Sequence, residues 1–246
     1  MTNKVQIVNS YYPMVDGLSL TWASNTTLTL ASGTCRDSTN KFDITVPSAL
    51  TLNAAITGVN GIDTGSFAAS KCYAIFVIDD TGKTNTPKVL MSLSSTAPVL
   101  PGGYDVFRRI GWAFSDGSTH FILAYQSGSG ISRQYFFDEP ISAISAGTSA
   151  TFLAVDLSQK VPAVDKLPIK LQLDLTPNAA NDAGYVRTGG SSATNGAVMY
   201  GSVAAKKSSQ ELDVVAKLVT SAPTIEYKVT ASGSLNALIL GFIDYL

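Results

Sequence analysis

The stretch that decides the fold is PGGYDVFRRIGWAFSDGSTHFILAYQ, residues 101–126. Two runs of β-branched and aromatic residues flank Asp116-Gly117, a dipeptide that favours the positive φ angles of a tight hairpin turn. In the first run, period-two alternation places Arg108 on an apolar strand face. The apolar residues of that face are Tyr104, Val106, Ile110, Trp112 and Phe114. A guanidinium there needs a carboxylate, backbone carbonyls or an aromatic ring as its partner. We therefore predict a β-hairpin that forms a well-specified part of the core.

Strand signals recur at short intervals on both sides of this hairpin. Residues 73–78 are apolar on both faces, which predicts a central strand covered from either side. Residues 235–245 are similar, so we expect the carboxyl-terminal end to lie in a core or an interface. Further strands are predicted at 4–8, 18–22, 26–30, 42–46, 49–56, 88–93, 132–137, 151–157, 169–175, 197–203, 211–215 and 224–229. Because no long segment has the 3.6-residue period of a helix, the sequence predicts an all-β fold of antiparallel β-sandwich or jelly-roll-like domains.

A short segment of small and polar residues provides the candidate domain boundary. Ser, Ala, Gly and Thr predominate between residues 140 and 149. Such a composition is typical of a linker, although a plain loop of this length is the alternative. We predict an N-terminal β domain over residues 1–140 and a C-terminal β-sandwich domain over residues 141–246.

The surface chemistry implied by the composition favours assembly. Only 14% of the 246 residues are charged, against roughly a quarter in ordinary soluble domains. Apolar residues make up 45%. We therefore expect part of the surface to be buried against other subunits. The alternative is a monomer kept soluble by abundant Ser, Thr and Asn.

Charge and hydropathy also exclude several partner classes. The 17 basic and 18 acidic residues are scattered and give a net charge of −1. The longest basic runs are the pairs Arg108-Arg109 and Lys206-Lys207, so direct nucleic-acid binding is not expected. No apolar run is long enough for a membrane span. Residues 1–8 lack the apolar core of a secretory signal, so we expect synthesis in the cytoplasm without a signal peptide.

The residues that usually carry catalysis or bind metals are scarce. His120 is the only histidine, which disfavours nucleophile–base pairs and multi-histidine metal sites. It is interpreted as an exposed residue of the hairpin. Cys35 and Cys72 are the only cysteines, and we expect buried free thiols, with a disulfide as the open alternative. We predict no catalytic, metal-binding or cofactor-binding residues.

Aspartates at turns give the remaining candidates. They are Asp63, Asp79, Asp80 and Asp116. Aspartate is favoured at turns because its side chain bonds to the backbone. A glycosidase pair of carboxylates about 5 to 10 Å apart is disfavoured by the shortage of glutamate and of an aromatic groove pattern. Residues 79–82 faintly resemble a calcium loop but lack its other ligands, so a turn is predicted. The glycine-rich runs at 58–65 and 189–190 do not open a helix and are poor phosphate cradles.

One series of motifs supports a more specific interpretation. In chain order the motifs are GIDTG (61–65), AA (68–69), YAIFVI (73–78), LSSTAP (93–98), LPGGY (100–104), RRIG (108–111) and DGS (116–118). Their order and spacing over residues 50–126 resemble bacteriophage virion structural proteins, a group that includes tail-fibre, head-fibre and capsid decoration proteins. The carboxyl-terminal hundred residues resemble, less distinctively, the β-rich part that often follows.

This resemblance implies a structural role in the virion, usually as a homotrimer, with no catalytic residues to carry over. No collagen repeat, heptad repeat or shaft repeat is present. The chain therefore suits a capsid decoration or cement protein better than a long fibre. Its expected partners are its own copies and the major capsid protein or other virion proteins.

Two alternatives remain open beside this role. One is a short tail or head fibre that binds a host receptor or surface glycan. The residues that could supply a sugar-stacking surface are Tyr11, Tyr12, Trp22, Trp112 and the loops at Asn60 and Ser191. Core positions are the competing interpretation of both tryptophans. An enzyme acting on cell-wall or capsule sugars is the least favoured alternative.

Overall fold

The protein is an all-β chain, as predicted. The computed structural model describes residues 15–128, 130–230 and 233–246, and these residues form β-strands and no helix. The strands are β1 (Val15–Gly17), β2 (Leu20–Ser24), β3 (Thr27–Leu30), β4 (Gly33–Arg36), β5 (Asp43–Val46), β6 (Leu50–Asn53), β7 (Cys72–Asp79), β8 (Lys88–Ser92), β9 (Val106–Phe114), β10 (Ala124–Ser127), β11 (Ser132–Gly147), β12 (Leu153–Asp156), β13 (Leu167–Thr176), β14 (Ala183–Thr188), β15 (Ala197–Tyr200), β16 (Ser208–Val219), β17 (Ala222–Val229) and β18 (Ser234–Tyr245). The strand predicted at 4–8 lies outside the described residues.

The strands of the described residues form four antiparallel sheets. Three sheets have three strands each, in the orders β1-β4-β5, β2-β3-β6 and β8-β7-β9. The fourth has nine strands in the order β10-β11-β18-β13-β16-β17-β14-β15, with β12 added beside β17. The described residues contain no helical segment with the length and apolar character that a membrane span requires.

The sheet β8-β7-β9, which we call the central sheet, is covered on both faces. Tyr73, Ile75 and Val77 pack into a first core with the two small sheets that precede them in the chain. Phe76 and Ile78 point the other way, into a second core against the nine-stranded sheet. Strand β7 lies in the middle of the central sheet and is buried almost throughout. The prediction of a central strand apolar on both faces is therefore confirmed.

The predicted hairpin has the right turn but the wrong partner strand. β9 pairs along its length with β7. The hairpin itself is short: it consists of the bridge between Ser115 and Phe121 and of two backbone hydrogen bonds, from the N–H of Asp116 to the oxygen of His120 and from the N–H of Ile122 to the oxygen of Phe114. The chain then leaves the central sheet, and β10 pairs with β11. The turn itself is an aspartate-capped loop, in which the positive φ falls on Thr119 at 61° and Gly117 has none. The Asp116-Gly117 dipeptide does not adopt the positive φ angles expected of it, because Asp116 closes the loop through its side chain.

A β-bulge also shows that the prediction of a single apolar face along β9 is wrong. Two neighbouring residues of β7 pair with Gly111 and Arg109, so Ile110 is an extra residue on β9. Val106 and Ile110 consequently contribute to the first core, whereas Trp112 and Phe114 contribute to the second. Arg108 is buried, and its Nη1 donates to the backbone oxygen of Asp37 at 3.1 Å. A carbonyl partner for this guanidinium was one of the predicted solutions.

The candidate domain boundary falls largely inside a strand. β11 continues to Gly147, so residues 140–147 are not a loop. The second core combines residues from both sides of position 140, such as Phe76 and Ile239. The division into residues 1–140 and 141–246 stays a prediction. Strands β1, β4 and β14 were not predicted, because each is short and contains glycine and polar residues.

Candidate functional site

In the part of the chain that the structure describes, the residues proposed for a sugar-stacking surface do not form one surface, although Trp22 and Trp112 line one small cavity. Asn60 lies beside β8, where its Oδ1 accepts the backbone N–H of Val89 at 3.3 Å. Ser191 lies in the loop between β14 and β15, in the nine-stranded sheet. Tyr11 and Tyr12 lie outside the described residues. Only the two tryptophans remain as candidates.

Trp112 is a core residue held in a buried polar network. It is 5% exposed, and its Nε1 donates to Asp244 Oδ2 at 2.8 Å. Its backbone N–H donates to the Tyr135 hydroxyl at 3.1 Å, and Gln126 Nε2 donates to the same hydroxyl at 2.8 Å. Arg109 lies over the indole ring at 4.6 Å and pairs with Asp244. Trp112 therefore joins strands and is not accessible to a ligand.

Trp22, in contrast, lines a surface cavity of about 420 Å³, which we call the Trp22 cavity. Its indole Nε1 donates to the backbone oxygen of Phe121 at 3.2 Å, which fixes the half-buried ring beside the turn that follows β9. The polar lining residues come from β2 and its following loop, this turn, and the middle of β11; they are Asn25, Asp116, His120, Asp138 and Glu139.

The carboxylates of the Trp22 cavity are held in defined positions. Asp116 Oδ1 accepts the backbone N–H groups of Ser118 and His120, both at 2.8 Å. The backbone hydrogen bond from His120 is the main cause that lowers the pKa of Asp116 below its ordinary value. Asp138 Oδ1 accepts the hydroxyl of Tyr125 at 3.1 Å, and this bond raises the pKa of Tyr125. Carboxylate acceptors and an aromatic ring in one cavity suit the hydroxyl groups and apolar faces of a sugar.

Sequence reasoning found only part of this cavity. His120 was interpreted as an exposed hairpin residue, and its side chain is 45% exposed. Asp138 and Glu139 were not singled out, although the sequence DEP at the end of a predicted strand marks an irregularity in β11. The described residues hold no group of three or more His, Cys, Asp or Glu side chains that could bind a metal ion.

The other turn aspartates have structural roles. Asp80 accepts the backbone N–H groups of Thr84 at 2.9 Å and Asn85 at 2.6 Å, so the predicted turn at residues 79–82 is confirmed. Asp63 accepts the backbone N–H of Thr64 at 2.7 Å. These bonds use the carboxylates to close loops.

Both cysteines are free thiols. Cys35 is fully buried in the first core, as expected, and burial raises its pKa to about 12. Cys72 is only partly buried. A buried thiol with so high a pKa is unreactive near neutral pH.

A second candidate surface is the outer side of the nine-stranded sheet. Tyr125 pairs with Phe136, and Phe136 pairs with Gly241, so neighbouring positions of β10, β11 and β18 are aligned. Tyr125, Phe136 and Tyr245 are 56%, 41% and 59% exposed. Together with the partly buried Ile243 they form what we call the aromatic face. Exposed apolar side chains that are contiguous across strands indicate an interaction surface.

A groove extends the aromatic face across the sheet. It has a volume of about 340 Å³ and is lined by Phe136, Pro168, Lys170, Gly241 and Ile243, among others. Gly241 leaves the floor of this groove without a side chain, because its backbone lies close to the carbonyl of Tyr135. The groove therefore offers a shaped, mainly apolar depression beside the exposed aromatic rings.

Comparison with known proteins assigns no family to this chain. No family model matches the sequence, and no curated protein is significantly similar to it. The functional interpretation therefore depends on the two surfaces described above and on the motif resemblance over residues 50–126.

Proposed function

We propose that this chain is a bacteriophage virion structural protein, most specifically a capsid decoration or cement protein that stabilises the head by bridging capsid subunits. The aromatic face is the observation that most supports this proposal. Tyr125, Phe136 and Tyr245 belong to neither core and expose about half of their surface, so their apolar area is available to a partner. Packing these rings against a neighbouring protein would remove their apolar area from water.

The proposal includes a homotrimer built from antiparallel β-sandwich or jelly-roll-like domains. A trimer would present three copies of each contact to the capsid, so weak individual contacts would sum to strong attachment. The proposed partners are other copies of the chain and the major capsid protein or other virion proteins. The proposed location is the virion, and no enzymatic activity, cofactor, nucleic acid or membrane is part of the proposal.

The test is co-sedimentation of purified protein with undecorated capsids, together with its mass in solution. We expect a trimer that associates with capsids at micromolar concentration. Phe136→Asp should abolish self-association or capsid binding, because it places a charge in the aromatic face. Val99→Asp is the matched control, since Val99 is 57% exposed in the loop between β8 and β9 and is not part of the aromatic face. A monomer that does not bind capsids, or equal behaviour of the two variants, would contradict the proposal.

A second proposal, a short tail or head fibre protein that binds a host receptor or glycan, is favoured by the Trp22 cavity. The half-buried indole and the fixed carboxylates of Asp116 and Asp138 supply the groups that saccharide recognition needs. We expect the protein to bind host cells and excess surface polysaccharide to compete. Asp138→Asn combined with Glu139→Gln should weaken that binding, whereas Asp213→Asn, on the outer face of β16, should not. If neither excess polysaccharide nor the double substitution weakens binding to host cells, the Trp22 cavity is not the binding site.

A further inference from the structure

Arg108 is a buried cation without an ionic partner among the described residues. The residue is 8% exposed. Its Nη1 donates to two neutral acceptors, the backbone oxygen of Asp37 and Asn40 Oδ1, both at 3.1 Å. In contrast, Arg109 pairs with Asp244 and Arg187 pairs with Glu226. Within the described ranges, Nε and Nη2 of Arg108 make no hydrogen bond.

The nearest candidate carboxylate is already occupied. Asp37 Oδ1 accepts the backbone N–H groups of Lys41 at 2.7 Å and Phe42 at 2.9 Å. Its Oδ2 accepts the backbone N–H and the hydroxyl of Thr39. The loop after β4 therefore uses all of this carboxylate, and Arg108 receives only the carbonyl oxygen of the same residue. Among the described residues, Arg133 Nε is the buried side-chain nitrogen that lacks a partner, so Nε and Nη2 of Arg108 are not enclosed. They are open to an external acceptor, and a negative group would give them charge-assisted hydrogen bonds.

Arg108 lines a surface cavity of about 390 Å³, which we call the Arg108 cavity. Hydroxyl and amide groups form one part of its wall, and they are those of Ser38, Asn40, Ser95 and Thr96. Phe107 forms part of the apolar wall, and Arg109 supplies a second guanidinium. The lining thus combines two arginines, several hydrogen-bonding groups and an aromatic residue.

We propose that the Arg108 cavity binds a sugar acid through its carboxylate, with Nε and Nη2 of Arg108 as a two-pronged donor. A carboxylate matches the planar fork of a guanidinium. The charge of Arg109 is offset by Asp244, and Asp37 lies beside Arg108, so the site favours a monoanion over a phosphate dianion. The surrounding hydroxyl and amide groups would pair with the hydroxyl groups of the sugar ring. This inference is independent of the proposed functions.

The test is titration of the full chain with glucuronate, glucose, inorganic phosphate and an acidic peptide, followed by calorimetry and thermal unfolding. Glucuronate should bind at least about tenfold more tightly than glucose, since a hydrogen-bonded charged group contributes this much or more. It should also raise the unfolding temperature as its concentration increases.

Two variants test the site itself. Arg108→Lys keeps the positive charge but removes the planar pair of N–H donors of the guanidinium. It should weaken glucuronate binding by about tenfold. The double change Ser95→Ala and Thr96→Val, on a loop outside the strands, should weaken it without loss of folding. Ser142→Ala, on the exposed side of β11, is the matched control and should bind as the parent does. Equal binding of glucuronate and glucose, unchanged binding by both site variants, or saturation by phosphate or the peptide alone would overturn the proposal.

Discussion

At the scale of single residues, Gly111 determines how closely the central sheet approaches the nine-stranded sheet. A Cβ at this position would lie 2.6 Å from the Tyr135 hydroxyl oxygen and 2.7 Å from Leu20 Cδ1. Without it, the Tyr135 hydroxyl reaches the backbone N–H of Trp112. The glycine of the RRIG motif is therefore required for close packing and not for turn formation.

Gly111→Ala should lower the free energy of unfolding by about 1 to 3 kcal/mol, because overpacking a full site forces its neighbours to move. Gly117→Ala is the control, since a Cβ there meets nothing within 4 Å and should change stability by less than about 0.5 kcal/mol. Urea unfolding of both variants measures the difference. Similar midpoints for the two variants would contradict this account.

Turn aspartates provide the clearest response of single residues to pH. Burial raises the pKa of Asp37, but hydrogen bonds from Thr39, Phe42 and Lys41 outweigh burial and hold its pKa below the ordinary value. Asp174 lies in β13 and not in a turn, and there hydrogen bonds from Lys207 and Ser209 similarly outweigh burial and lower its pKa. Because these folded-state values are depressed, the carboxylates contribute stability above the pKa of the unfolded chain.

Stability should therefore fall as the pH drops from about 4 through the lower pKa values of the folded state. Asp37→Asn should reduce stability at neutral pH and flatten this acid dependence, since an amide does not titrate in that range. Urea midpoints between neutral and strongly acidic pH measure both effects. An Asp37→Asn variant with the same acid slope as the parent would exclude Asp37 as a contributor.

At the scale of elements, the network around Asp244 joins β9 to β18. Asp244 is fully buried and receives hydrogen bonds from Trp112 Nε1 and from Arg109. Because β9 belongs to the central sheet and β18 to the nine-stranded sheet, this network holds the two sheets together. Without Arg109, the fully buried carboxylate of Asp244 would lose its ionic partner, whereas Arg109 is partly exposed.

Arg109→Met should cost about 3 kcal/mol of stability, and Asp244→Asn a similar amount. The double variant should cost clearly less than the sum, because no unpaired charge remains. Lys170→Met is the control, since Lys170 pairs with Glu211 in an exposed position and should cost less than about 1 kcal/mol. Chemical denaturation of the four variants gives the coupling energy, and strict additivity would show that the pair is not coupled.

At the scale of the whole molecule, the central sheet belongs to two cores at once. Tyr73 and Ile75 pack into the first core, while Phe76 and Trp112 pack into the second. Neither core is complete without this sheet. We therefore expect the chain to unfold as one cooperative unit.

Unfolding followed by tryptophan fluorescence and by far-ultraviolet circular dichroism should give coincident transitions. Trp22 packs against the first core and Trp112 is buried in the second, so the fluorescence signal covers both. Residues 1–147 and residues 148–246, expressed separately, should not fold, because each would expose one side of the second core. Two separate transitions, or a folded fragment, would favour independent domains instead.

The sequence by itself determined the all-β class, most of the strands, the central position of residues 73–78 and the presence of a turn at Asp116. These properties depend on the period of apolar residues and on turn chemistry, which act between residues close in the chain. It also predicted that Arg108 would need polar partners, because a buried guanidinium must be hydrogen-bonded wherever the fold places it.

Only the tertiary structure decided that β9 pairs with β7, that Ile110 bulges and that residues 140–147 continue a strand. It alone also brought Trp22 and Asp138 to one cavity and aligned Tyr125 with Phe136. Strand pairing and the grouping of distant side chains depend on contacts between residues far apart in the chain. Because many pairings satisfy the same alternation of polar and apolar residues, the choice among them is made by packing the whole molecule.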